Sequence, residues 1–173
     1  MKTSHRWICS LATLVASLSG WAAETAQPTE RTEVVFAHPD TYADVRDSSF
    51  GTDKGRDAIL EQLKDYLVLR SKYYVAEGQK LTVTVTDVDL AGDFEPWRGA
   101  EMTDVRVVKD VYPPKVDLEF KLTGANGKVL KEGKRQLRDL AFLSKINIDR
   151  SDALRFEKAL LDDWLRADFP RAK

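Results

Sequence analysis

The stretch VDLEFKLTGANGKVLKEGKRQL, residues 116–137, decides the fold class of this chain. Apolar and charged residues alternate over 116–122, which is the pattern of a strand with one buried face. Turn residues follow at 124–127, and a second strand returns over 128–137 with a kink expected at Gly133. The segment therefore predicts an antiparallel hairpin whose apolar face lies on a core.

The rest of the chain supplies the other elements of that core. Residues 32–37, 81–90 and 103–111 predict three further strands, and apolar stripes at helical spacing predict helices over 53–75 and 151–169. We therefore expect an α+β fold. It is a two-layer sandwich, with a mostly antiparallel sheet of about five strands and two amphipathic helices on one face.

The strand at 81–90 changes its pattern part-way. Leu81, Val83 and Val85 alternate with threonines, but the next apolar residue is Val88. A bulge near Thr86 would keep the apolar face inward on both sides of this change. It would also turn the neighbouring aspartates outward.

The first residues have the layout of a secretory signal peptide. Lys2 and Arg6 form a positive head, residues 7–19 carry no charge, and Gly20 and Ala22 are small residues suited to cleavage. The uncharged run is short of the roughly twenty apolar residues that a membrane-spanning helix needs. We therefore expect cleavage after Ala22.

Cleavage would leave a flexible lead-in at 23–31 and a single domain at 32–173. The balance of 27 basic and 28 acidic residues would become 25 and 28, a net charge of −3, which argues against a nucleic-acid partner. Cys9 would leave with the signal, so thiol chemistry is excluded, and His38 would be the only histidine. No later apolar run is long enough to span a membrane.

An acidic run at 87–95 is the best candidate for chemistry. Its members are Asp87, Asp89, Asp93 and Glu95. A calcium loop that started at Asp87 would have Ala91 and Arg98 at two ligand positions, so we expect no metal and no cofactor. The alternative is a small phosphatase-like hydrolase in which Asp87 attacks phosphorus and Asp89 moves a proton.

Two irregular stretches, 38–52 and 91–103, are the candidate recognition surface. Its expected residues are His38, Tyr42, Asp87, Asp89, Asp93, Glu95, Trp97 and Arg98. Aromatic and arginine side chains are common anchors of binding surfaces. We expect Trp97 to pack partly buried against the sheet edge and Arg98 to stay exposed.

Several strings of this chain are characteristic. They are VVF at 34–36, TDVDLAG at 86–92, FEPW at 94–97, DVRVVKD at 104–110, YPP at 112–114, EK at 157–158 and LDDW at 161–164. Together they resemble an uncharacterised family of exported proteobacterial proteins that is known only as a domain of unknown function. The resemblance covers about residues 32–169 and implies a Gram-negative envelope protein, but it implies no reaction for any residue here.

These observations favour a periplasmic binding or accessory domain without catalysis. Its partner is an unknown envelope protein or a small ligand. The hydrolase that uses Asp87 and Asp89 is the alternative. It requires a pocket in which the two acids converge and perturb one another.

The first prediction concerns export. When the full chain is expressed in a Gram-negative host, we expect the periplasmic fraction to contain a protein that begins at Ala23, because small residues follow an uncharged run of subcritical length. Intact-mass measurement decides it. A membrane-bound product that retains residues 1–20 would contradict the prediction.

Overall fold

The computed structural model describes residues 31–145 and 149–172. Its elements are β1 (Thr32–Phe36), α1 (Asp53–Ser71), β2 (Lys80–Asp89), β3 (Asp93–Phe94), β4 (Arg106–Val107), β5 (Lys115–Thr123), β6 (Val129–Arg138) and α2 (Arg155–Asp168). The predicted signal peptide and all but the last residue of the predicted lead-in lie outside the described residues. No helix in the described ranges is long and apolar enough to cross a membrane.

Four strands form the main sheet in the order β1-β2-β5-β6. β1 runs parallel to β2, and the other neighbours pair antiparallel. The predicted α+β sandwich is confirmed, with four strands in the main sheet instead of about five. The hairpin of β5 and β6 forms as its alternating pattern requires.

The strand predicted at 103–111 is the exception. Only Arg106–Val107 is extended, and it pairs with β3 in a separate two-stranded sheet. Val105, which the alternation would turn inward, is 44 % exposed. In this position the Arg106 side chain reaches the buried carboxylate of Asp44, with Nη1 2.9 Å from Oδ2.

The predicted bulge in β2 is present. The pairing of β2 with β5 shifts register between Val85 and Asp87. Val85 and Val88 are both buried as a result, while the carboxylates of Asp87 and Asp89 leave the core. The bulge therefore keeps the apolar face continuous and sets the direction of the chain that enters the second irregular stretch.

The core lies between the sheet and the two helices. Its helix-borne members include Leu60, Leu63 and Leu67 of α1 and Leu160, Leu161, Trp164 and Leu165 of α2. The rings of Phe120, Trp164 and Phe169 meet edge to face with centroids 5.4 to 5.7 Å apart. Such contacts add to the stabilisation that burial itself gives.

The helices are shorter than their apolar patterns suggested. The Thr52 hydroxyl accepts the Gly55 amide at 2.9 Å and caps α1, which ends at Ser71. α2 begins at Arg155 and not at Ser151. The residues before it are held in turns, because carboxylates there accept backbone amides two residues further on.

The second face of the sheet is open and bears cross-strand ion pairs. Lys134 contacts Glu119 at 2.5 Å, and Lys121 contacts Glu132 at 3.6 Å. These charges alternate with the buried residues of β5, as the sequence pattern of the hairpin requires. The sheet thus presents paired charges to solvent on this side.

Candidate functional site

The two irregular stretches meet beside the last residues of β2. Residues 38–52 and 91–112 together form what we call the double-loop lobe. The first loop pairs with the edge of the sheet in an isolated parallel bridge, in which the Asp44 amide donates to Val88 O at 3.0 Å and the Leu90 amide donates to Asp44 O at 3.0 Å. Asp44 therefore joins the first loop to the edge of the sheet through its backbone.

The Asp44 side chain joins the first loop to the second. Its Oδ1 accepts Arg46 Nε at 2.9 Å, and its Oδ2 accepts Arg106 Nη1 at 2.9 Å. Asp44 is buried. Burial acts to raise its pKa, but the hydrogen bonds from the two guanidinium groups outweigh burial and hold the pKa below its usual value.

Arg106 completes its bonding with backbone oxygens from both loops. It donates to Gly92 O at 2.8 Å and to Arg46 O at 2.9 Å. The Phe94 ring lies beside the guanidinium groups, with Arg106 Cζ 4.6 Å and Arg46 Cζ 5.5 Å from its centroid. Both guanidinium groups are close enough to the ring for cation–π attraction, which helps to stabilise the buried ring between them.

Gly92 begins the second loop in a conformation that requires glycine. Its φ is 81°, and a Cβ there would lie 2.8 Å from Val107 O. The Gly92 amide donates to Tyr112 O at 3.0 Å, which closes the base of the loop. The close approach of the two backbones therefore fixes where the loop starts and ends.

Two more contacts hold the loops together. Arg46 Nη2 donates to Asp93 Oδ1 at 2.8 Å. Ser49 donates through its amide at 3.2 Å and its hydroxyl at 2.8 Å to Asp104 Oδ1. The lobe is thus one packed unit and not two independent loops.

Glu95 is a second buried carboxylate inside the lobe. It is 1 % exposed, its Oε1 accepts hydrogen bonds from Lys109 Nζ at 2.6 Å and from the Tyr112 hydroxyl at 3.2 Å, and its Oε2 lies 2.8 Å from Arg98 Nε in an ion pair. The hydrogen bond from Lys109 lowers the pKa of Glu95. Glu95 therefore serves the lobe as an internal anchor and is not available to an outside ligand.

Trp97 lies on the outside of the lobe. It is 71 % exposed, so the expected partial burial of Trp97 against the sheet edge is wrong. Phe94 takes the buried place instead, at 5 % exposure, because the two arginines enclose its ring. Arg98 is nearly half exposed and pairs with Glu95.

The remaining expected residues are spread over the lobe and the strand beside it. His38 is exposed and has a left-handed backbone with φ of 55°. The Tyr42 hydroxyl donates to Val85 O at 2.8 Å, and burial raises its pKa to about 12. Asp87 accepts the Ala43 amide at 2.8 Å.

The acidic run does not converge into a catalytic pair. Asp89 is paired with Lys115 at 2.6 Å, and Asp87 lies opposite Asp117 of β5. Within 31–145 and 149–172, no three histidine, cysteine, aspartate or glutamate side chains are grouped so that they could hold a metal ion. Asp89 thus forms an ion pair on the sheet, and Asp87 helps to attach the first loop to β2.

A family model for proteins of unknown function, DUF3016, matches residues 30–167. The chain belongs to the DUF3016 family. A comparison with curated proteins finds no match. The family thus agrees with the resemblance that the characteristic strings indicated, and it assigns no activity to the lobe of this DUF3016 domain.

The residues that sequence reasoning missed are Asp44, Arg46, Arg106 and Phe50. Arg106 alternates with valines, so it resembles a surface residue of a strand, and Asp44 is one of several aspartates in a polar loop. Their pairing spans 62 positions of the chain, and no local pattern encodes it. Phe50 could have been noticed as a large apolar residue in an otherwise polar loop, which is unusual unless the side chain is buried or contacts a partner.

Glu157 anchors the lobe from the helix side. It is buried, and its Oε1 accepts the Ala91 amide at 2.7 Å at the point where the second loop leaves β2. Its other oxygen has no partner among the described residues. Burial raises the pKa of Glu157, although the Ala91 amide opposes the shift.

The second prediction concerns the Asp44–Arg106 pair. Arg106→Met should lower the free energy of unfolding by about 3 kcal/mol, because it leaves a buried carboxylate with one of its two cations. Trp97→Ala is the control and should stay within about 0.5 kcal/mol, because the ring is exposed. Urea unfolding of both variants measures this, and a larger loss in Trp97→Ala would contradict it.

The third prediction concerns pH. Because the folded-state pKa of Glu157 is raised, its contribution favours folding below the ordinary glutamate value of 4.5 and is lost as the pH rises through the folded pKa. Glu157→Gln should therefore gain stability relative to the native chain as the pH rises from 5 to 8. Urea unfolding at several pH values tests this, and a constant difference between the two chains would contradict a raised pKa of Glu157 in the folded state.

Proposed function

We propose that this DUF3016 protein is an exported, non-catalytic binding domain of the Gram-negative cell envelope, and that the double-loop lobe is its recognition surface. One observation carries the proposal. Phe50 is 90 % exposed and Trp97 is 71 % exposed, and the loops that bear them are held together by internal ion pairs.

Fixed loops with exposed aromatic side chains suit recognition. Aromatic residues dominate binding energy at protein interfaces, and a surface that is already ordered loses little conformational entropy on binding. Asp44 and Arg106 provide that order within the lobe. Val105 and Val111, at 44 % and 66 % exposure, add apolar area to the second loop.

The acids of the lobe support binding more than hydrolysis. A pair of catalytic carboxylates needs a shared, perturbing environment. Here Asp93 and Glu95 bond to cations within the lobe, and Asp89 pairs with Lys115 on the sheet. These carboxylates are engaged in holding the fold.

A protein partner suits the lobe better than a small ligand. Small-molecule sites are mostly apolar cavities of about 300–1,000 Å³. The cleft within the first loop measures about 250 Å³. A groove of about 500 Å³ lies along α2, but most of its lining side chains are charged, among them Lys158 and Asp162.

Site-specific crosslinking in cells tests the proposal. A photoreactive amino acid at position 97 of the full chain should yield a defined adduct with an envelope protein, and so should one at position 50. Position 69 is the control, because Leu69 is 57 % exposed on α1, outside the lobe. Equal yields from 97 and 69, or no adduct from 97 and 50, would refute the lobe as the recognition surface.

A further inference from the structure

The double-loop lobe has two groups of charged side chains: those that pair with one another, and exposed carboxylates that do not. The lobe contains four cations, Arg46, Arg98, Arg106 and Lys109, and each of them pairs with a carboxylate of the lobe. Three carboxylates, Asp44, Asp93 and Glu95, satisfy all four. Every cation of the lobe therefore has a carboxylate beside it, and four cations against eight carboxylates leave the lobe a net charge of −4.

Five carboxylates of the lobe remain. They are Asp40, Asp47, Glu101, Asp104 and Asp110, and all five residues are exposed. None of them forms an ion pair with another described residue. The surface of the lobe consequently carries uncompensated negative charge.

These carboxylates are close in the chain to the exposed apolar side chains. Asp104 accepts a hydrogen bond from Ser49, and the residues that directly follow these two in the chain are the exposed Val105 and Phe50. Asp110 precedes Val111 directly. Unpaired carboxylates and exposed apolar side chains are thus close neighbours along both loops of the lobe.

The cleft in the first loop carries mixed charge. Its volume is about 250 Å³, and its lining includes the Asp40 and Asp53 carboxylates, the Phe50 ring and the guanidinium groups of Arg46 and Arg56. The negative charge that could attract a partner therefore lies with the five unpaired carboxylates and not in this cleft.

We infer that the partner of the lobe is a cationic polypeptide segment in which lysine or arginine alternates with apolar side chains. This inference rests on the proposed function and adds the chemistry of the partner. Complementary charge steers association and selects among partners, while aromatic anchors provide most of the binding energy. An anionic membrane surface is disfavoured, because negative lipids would repel the lobe.

Peptide binding tests the charge of the partner. Three labelled peptides share the same leucine positions and carry lysine, glutamine or glutamate at all other positions, and a fourth has lysine with serine in place of leucine. Fluorescence anisotropy with the purified mature protein measures each affinity. We expect the lysine–leucine peptide to bind at least tenfold more tightly than the other three and to weaken as salt rises.

Three variants test whether the lysine–leucine peptide binds at the double-loop lobe. Trp97→Ala should weaken the lysine–leucine peptide by about thirtyfold. Asp110→Asn should weaken it by about two- to fivefold and reduce the salt dependence. Asp65→Asn is the matched control, because Asp65 is an exposed carboxylate on α1 without an ion pair among the described residues.

Each other outcome overturns the inference. Equal binding of the lysine and glutamine peptides, tighter binding of the glutamate peptide, or no binding of any peptide would exclude a cationic segment. Binding to phosphatidylglycerol vesicles that is lost in Trp97→Ala would identify a membrane instead. In all these cases the crosslinks from positions 97 and 69 still decide whether the lobe binds a protein at all, so the two proposals fail separately.

Discussion

The pairing of the buried Asp44 carboxylate with two arginines is the interaction on which the double-loop lobe depends. The backbone of Asp44 extends the sheet beside β2, and its side chain accepts hydrogen bonds from Arg46 of the first loop and Arg106 of the second. A buried anion is costly unless it is paired and hydrogen-bonded, so this position requires both guanidinium groups. Two loops that are distant in the chain thereby become one unit.

That constraint determines which aromatic side chain is buried. The two arginines that satisfy Asp44 also enclose the Phe94 ring. Trp97 lies in the short helical turn that follows, beyond this enclosure, and remains exposed. The arrangement of the two arginines around Asp44 therefore accounts for the burial of Phe94, while Trp97 lies outside it.

The sequence is sufficient for those parts of the fold that local periodicity encodes. Alternation predicts the hairpin of β5 and β6, the change of parity in β2 predicts its bulge, and an apolar stripe at helical spacing predicts α1. The lobe is different, because its geometry follows from one long-range ion pair. An arginine between valines at 105–107 has the pattern of a strand, and nothing local in the sequence shows that Arg106 pairs with the distant Asp44. For the same reason the two loops could be predicted as the candidate site, but the exposure of Trp97 could not.

The open face of the sheet shows why the charge of the lobe is distinctive. On that face Glu33 contacts Lys80 at 2.7 Å and Glu119 contacts Lys134 at 2.5 Å, so carboxylates have cations beside them. In the lobe the cations instead serve buried carboxylates, and the outer carboxylates are left to solvent. An exposed carboxylate is stable in water, so the fold does not require cations there. The pairing that holds the two loops together thus leaves the outer carboxylates without cations, and this is the basis on which we propose a partner that carries positive charge.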